Sequence, residues 1–196
     1  MIFSIIIKQL IIVFFLCNIF AAEEKNYRST FYSYSAVSID GDTLHMEEYK
    51  NKKILLVNVA SRCGYTPQYK ELQMLHKDYS NELVVLGFPS NDFFWQEPGN
   101  NDEIQTFCQL QYGVSFQMFE KIHVKGKKQH SIYKWLSDSE LNGWNNKSPS
   151  WNFYKYLIDE KGELINFYPS NVNPLDTAIT RHLNTGLPNM QETKTN

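Results

Sequence analysis

The sequence predicts an α/β fold, a mixed central sheet flanked by helices, and three observations carry that prediction. The run Ile54-Leu55-Leu56-Val57-Asn58-Val59-Ala60 is almost continuously apolar and β-branched, as a strand covered on both faces should be. A helical pattern follows over residues 67–79. A second apolar run, Leu83-Val84-Val85-Leu86-Gly87-Phe88, comes at the distance a βαβ crossover needs, so the two strands should pair in parallel. Further on, the turn Asp159-Glu160-Lys161-Gly162 separates two short apolar runs, which predicts an antiparallel hairpin and makes the sheet mixed.

The elements follow in order. After a polar lead-in over 23–30, Ala36-Val37-Ser38-Ile39 and Thr43-Leu44-His45-Met46 flank Asp40-Gly41, a hairpin turn signal. The strand over 54–60 gives way to a helix that Thr66 should cap and Pro67 open, with Tyr69, Leu72, Leu75, His76 and Tyr79 on one face. After the strand over 83–88, Asn100 and Glu103 form a capping pair for a helix reaching Tyr112, where Gly113 can end it. Apolar runs predict strands over 118–124 and 153–158, a short helix over 132–136 and a strand over 164–168. Asn173 as cap and Pro174 as first residue should open a last helix that turns Leu175, Ala178, Ile179, His182 and Leu183 inward. No internal repeat or low-complexity linker interrupts this order.

A chain of 196 residues with 42% hydrophobic side chains suits one well-buried domain, expected over 23–186, with a polar tail over 187–196. Its formal charge of −2 with scattered basic residues leaves no broad footprint for nucleic acid. Residues 1–22 read as a signal peptide: Lys8, an apolar core over 10–20, then Ala21-Ala22 ahead of Glu23-Glu24-Lys25. A retained membrane anchor is the alternative reading. Export to a periplasmic, secreted or secretory-pathway location would remove Cys17 and leave two cysteines, Cys63 and Cys108, where disulfides persist.

Cys63 lies between a buried strand and a helix, a position that favours the thiolate, the form of cysteine that attacks. A mixed sheet with a cysteine ahead of its first crossover helix has the outline of a thioredoxin-like fold. The second cysteine of an ordinary dithiol exchanger is missing, because Thr66 stands three residues on.

Three ordered motifs then resemble the glutathione peroxidase family across nearly all of residues 31–184. They are Asn58-Val59-Ala60-Ser61-Arg62-Cys63-Gly64-Tyr65-Thr66, Gly87-Phe88-Pro89-Ser90-Asn91-Asp92-Phe93-Phe94-Trp95-Gln96-Glu97-Pro98-Gly99, and Trp151-Asn152-Phe153-Tyr154-Lys155-Tyr156-Leu157-Ile158-Asp159. The resemblance implies a non-selenium member with cysteine as the peroxidatic residue, surrounded by Gln96, Trp151 and Asn152. The amide and indole N–H groups of these three could steady a thiolate or the charge of a cleaved peroxide. Cys63 would attack hydrogen peroxide or an organic or lipid hydroperoxide and become a sulfenic acid, to be regenerated by a thioredoxin-like protein or glutathione. A non-enzymatic peroxide sensor or adaptor that passes its oxidation to a partner protein would use the same residues.

Departures from the family pattern bear on the reductant. Ser90 stands where many relatives carry cysteine, Asp92 replaces a common glutamine, and Phe94-Trp95 makes its loop bulkier. Relatives that use thioredoxin carry a resolving cysteine in the helix that runs to about Tyr112, and Cys108 is the candidate here but lies one position earlier, a turn of about 100° that requires the helix to unwind locally before the sulfurs meet. Core packing beside Ile104 and Phe107 is the alternative. The long insertion of tetrameric relatives is missing between Gly126 and Trp135, so a monomer is expected. His45, His76, His123, His130 and His182 show no metal-ligand or catalytic spacing, and neither a metal nor a cofactor is expected.

Overall fold

The computed structural model describes residues 29–183, so the predicted leader over 1–22 and the polar tail over 187–196 lie outside the described residues. The first strands, β1 (Ser35–Val37) and β2 (Thr43–His45), form the expected antiparallel hairpin, with Ala36 opposite Leu44 and Gly41 turning at φ 97°. The central strand β3 (Lys53–Val59) leads to helix α1 (Tyr69–Asp78), strand β4 (Leu83–Pro89), helix α2 (Asn101–Tyr112) and the short strand β5 (Gln117–Met118). Helices α3 (Ser131–Leu136) and α4 (Ser139–Asn142), strands β6 (Lys155–Ile158) and β7 (Leu164–Tyr168), and the single turn α5 (Thr177–Thr180) complete the order.

The main sheet runs β5-β4-β3-β6-β7. Strands β3 and β4 are parallel, as the crossover spacing predicts, with Leu55 opposite Val85; β6 lies antiparallel on the other side of β3, and β7 closes the predicted hairpin. Side chains alternate across β3, and that alternation divides the interior. Leu55, Val57 and Val59 enter one core with Tyr69, Leu72 and Leu75 of α1 and Ile104 and Cys108 of α2. Ile54 and Leu56 enter the other with Phe31, Ile132, Trp135 and Leu136. A strand with a helix layer on each face has no polar face, which is why its sequence reads as an unbroken apolar run.

Helix α2 begins and ends as expected. Asn100 accepts from the Glu103 N–H and Glu103 from the Asn100 N–H, both at 2.9 Å, and Gly113 closes the helix in the left-handed region at φ 60°.

Three expectations fail. Thr66 does not cap a helix: it is the first residue of a 3-10 turn, Thr66–Gln68, and α1 starts only at Tyr69. The strand expected over 118–124 shrinks to β5, because the segment bends away to other partners. Phe119 N–H donates to Gly87 O, Glu120 N–H to Val37 O and Ile122 N–H to Pro89 O. The Asp92 carboxylate accepts from the N–H groups of Val124 and Lys125. The last helix is one turn long, because Asp176 accepts from Ala178 N–H at 2.7 Å while Asn173 accepts from Leu175 N–H in a separate turn. Ile179 and Leu183 are buried as predicted.

Candidate functional site

Cys63 follows β3 in a tight loop and is 7% exposed. Thr66 holds this loop by its side chain: the hydroxyl donates to Ala60 O at 2.8 Å and accepts from Cys63 N–H at 2.9 Å. The Tyr65 N–H donates to Cys63 Sγ at 3.4 Å. The nearest helix proper lies six residues further on, so this backbone N–H, rather than the α1 terminus, is the group that meets the sulfur.

The second wall is the loop after β4. Phe94 and Trp95 both take left-handed backbone, at φ 51° and 53°, and this reversal lets Gln96 turn back toward the Cys63 loop, where Gln96 O accepts from Arg62 N–H at 3.0 Å. The next residue, Glu97, is buried, and one carboxylate oxygen accepts from both Ser61 N–H at 2.9 Å and Ser61 Oγ at 3.0 Å. Burial raises the Glu97 pKa, while the Ser61 bonds and the charges of Lys121 and Arg62 oppose the rise. A cavity of about 370 Å³ opens beside this junction, lined by Ser61, Arg62, Glu97, Pro98 and Phe107 among others.

The third wall precedes β6. Asn58, fully buried in β3, donates through Nδ2 to Trp151 O and accepts at Oδ1 from Tyr154 N–H, both at 3.0 Å. Phe153 takes φ 65°, and its carbonyl accepts from Lys155 Nζ at 2.9 Å. These bonds present Trp151 and Asn152 at the end of the sheet. The Asn152 Nδ2 donates to Gln96 Oε1 at 3.0 Å, and Ser170 Oγ donates to Asn152 O at 2.6 Å. Asn152 Oδ1 is buried without a partner. The Trp151 ring lies against Phe93 and Phe94, with centroids 6.0 and 5.5 Å away, and packs on the same core as Cys63.

Of the predicted residues, Gln96 and Asn152 are thus bonded to each other, Trp151 adjoins Asn152, and Gln96 is tied through its backbone to the residue before Cys63. A buried thiol with a backbone donor on its sulfur is the part needed to hold an anionic sulfur, and among the described residues no hydrogen bond joins that sulfur to Gln96, Trp151 or Asn152. Cys108 belongs to the same core but has other company. It is 1% exposed, both thiols are free, and it lines a separate cavity of about 190 Å³ with Ile39, Asp40, Val114 and Met118. Burial pushes its pKa up to about 11, and the Tyr69 hydroxyl faces it without a well-aligned hydrogen bond.

Sequence reasoning passed over Asn58, Ser61, Glu97 and Lys155, and missed the part Thr66 plays. Asn58 and Lys155 carried a signal, a polar residue inside an apolar strand. Ser61 and Glu97 had none, since only folding brings them together. Among the described residues no group of three His, Cys, Asp or Glu side chains could hold a metal ion.

The comparisons with known proteins agree in direction. Residues 31–137 match the family described as glutathione peroxidase. The chain is 45% identical over 145 residues to a glutathione peroxidase of Lactococcus lactis subsp. cremoris, covering 74% of this chain and 92% of that protein. It is 39% identical over 158 residues to a hydroperoxy fatty acid reductase of Synechocystis sp., covering 76% and 92%. The crystal structure of Trgpx in its apo form superposes with a TM-score of 0.61 at 31% identity, over 78% of this chain and 94% of that one.

Proposed function

This chain belongs to the glutathione peroxidase family and is a peroxidase, and we propose that Cys63 is its peroxidatic nucleophile and that a thioredoxin-like protein is its reductant. The Cys63 thiolate attacks the terminal oxygen of a hydroperoxide. An S–O bond forms as the O–O bond breaks, and the leaving alkoxide or hydroxide takes a proton and departs as alcohol or water. The sulfur, oxidised by two electrons, is left as a sulfenic acid. Gln96, Trp151 and Asn152 steady the thiolate and the departing oxygen. The observation that carries this reading is the Cys63 loop itself, with Tyr65 N–H on the sulfur and Gln96, bonded to Asn152, tied to Arg62.

Cys108 then attacks the sulfenic sulfur, expels water and forms a disulfide, which the dithiol of the thioredoxin-like protein reduces by exchange. This step needs the last turns of α2 to open, since the buried thiol is a poor nucleophile where it stands. A helix of 12 residues is marginal on its own, and the cavity beside Cys108 leaves less packing to lose. Glutathione is the competing reductant and would act directly on Cys63. The likeness to the hydroperoxy fatty acid reductase of Synechocystis sp. supports hydroperoxides of fatty acids as substrates.

Mass spectrometry after one equivalent of peroxide tests the cycle. A disulfide between Cys63 and Cys108 is expected, and a lone sulfenic acid on Cys63 overturns the resolving step. Oxidation of Cys63 without steady-state turnover on any thiol would favour the sensor or adaptor. The intact mass of the exported protein should lack residues 1–22.

A further inference from the structure

We infer that Phe94 and Trp95, with the basic residues around them, form a docking tip for an anionic lipid surface. These adjacent aromatics are 74% and 77% exposed, whereas Phe93 beside them is buried. Their consecutive left-handed backbones turn both rings outward, a conformation bulky L-residues adopt at a cost and keep only where the surroundings enforce it. The tip adjoins the site, because the Phe94 ring rests on Trp151 with centroids 5.5 Å apart.

Charge selects the occupant. Lys125 lies over the Phe93 ring, 4.2 Å from its centroid, and Lys127 and Lys128 are exposed on the turn that follows. Arg62, also exposed, is tied by its backbone N–H to Gln96 O beside the tip, and it lines the neighbouring cavity with Glu97 and Phe107. The acidic neighbours do not cancel these cations: Asp92 pairs with His123 and accepts from Val124 and Lys125 N–H, and Glu97 is buried on Ser61. A chain of net charge −2 therefore carries a local cationic rim around two exposed aromatics. Tryptophan and phenylalanine settle at the headgroup level of a bilayer, and lysine and arginine beside them attract anionic headgroups. A projecting tip of two adjacent rings has the form for insertion between lipids. For its substrate the inference rests on the peroxidase reading: a hydroperoxide on an acyl chain would then meet the site without leaving the lipid.

The test compares the exported protein without residues 1–22, so that no apolar leader contributes to lipid binding, with Trp95→Ser and with a triple Lys125, Lys127 and Lys128→Gln variant in the same background. Each is sedimented with phosphatidylcholine vesicles containing or lacking phosphatidylserine, and peroxidase activity on hydrogen peroxide with dithiothreitol is read separately. Wild type should partition onto the phosphatidylserine vesicles with a blue shift of tryptophan emission. Trp95→Ser should lose about tenfold of that partition, and the lysine variant should lose most of its salt-sensitive part. Activity on hydrogen peroxide should be unchanged in the lysine variant, whose substituted residues lie outside the Cys63 site, and in Trp95→Ser it is read apart from the partition that carries the test. Equal partition of all three proteins, or none by wild type, overturns the inference. So does unchanged partition with slower turnover by a thioredoxin-like protein, which would reassign the tip to a protein partner. Loss of peroxidase activity in wild type would strike the peroxidase reading and leave the vesicle result standing.

Discussion

Cys63 and Cys108 share one hydrophobic core yet live in different chemistry. Around Cys63 the chain has buried polar groups and partnered most of them: Asn58, Thr66, Glu97, Asn152 and Lys155 are all buried, and each makes at least one hydrogen bond. Around Cys108 the helix is regular, the neighbours are Ile104 and the Tyr69 ring, and burial holds the thiol protonated. Tyr69 also meets Phe153 edge-on at 5.5 Å, so one aromatic ring packs toward both regions. Burial alone thus makes a cysteine inert; burial with a backbone N–H on the sulfur makes it a candidate nucleophile.

The contrast breaks most sharply at the thiols. Cys63→Ser should lower peroxide consumption at least about a thousandfold, some 4 kcal/mol of barrier, in a stopped-flow assay with a thiol reductant. Cys108→Ser should leave the first oxidation of Cys63 at its wild-type rate, so equal losses in that step would erase the distinction. Next in size, Gln96→Ala removes one polar partner and should slow Cys63 oxidation about a hundredfold, near 2.7 kcal/mol. A rate within twofold of wild type would remove Gln96 from the site.

Lys155 sharpens the comparison through stability. It pairs with Val57 in the sheet, so its side chain enters the Cys63 core, and burial lowers its pKa to about 7. The unfolded lysine keeps its proton to about pH 10. Between those values the unfolded state binds the extra proton, so stability rises with pH through the window. From pH 7 to 8.5 the gain should be about 2 kcal/mol in urea unfolding, and Lys155→Met should flatten it. A wild-type profile that stays level or falls would show that the lysine is not held neutral. The smallest effect is the labelling of Cys108 in the reduced protein: iodoacetamide should modify Cys63 at neutral pH and leave Cys108 unmodified until urea opens α2.

Much of this architecture was legible because it rests on periodicity. The apolar run of β3, the distance to β4, the capping pair of α2 and the turn before β7 each constrain their own neighbourhood, and each is found where the sequence puts it. The failures share a cause. Thr66, Asn173 and the 118–124 run all have local signals that a competing partner overrides: Cys63 N–H for Thr66, the Asp176 cap for Asn173, and Gly87, Val37 and Asp92 for the short strand. A side chain that can satisfy two backbone groups goes to the one that burial would otherwise leave unpaired.

By itself the sequence determined the α/β class and the order of strands and helices, because hydrophobic periods are written in neighbouring positions, and its family motifs named Cys63, Gln96, Trp151 and Asn152 as candidates. Only the tertiary structure decided how those four are held. The bonds from Asn58 to Trp151, Glu97 to Ser61 and Gln96 to Asn152 span 93, 36 and 56 positions. No local pattern encodes such pairs, since their energy appears only once the sheet has brought distant buried polar groups within reach of one another.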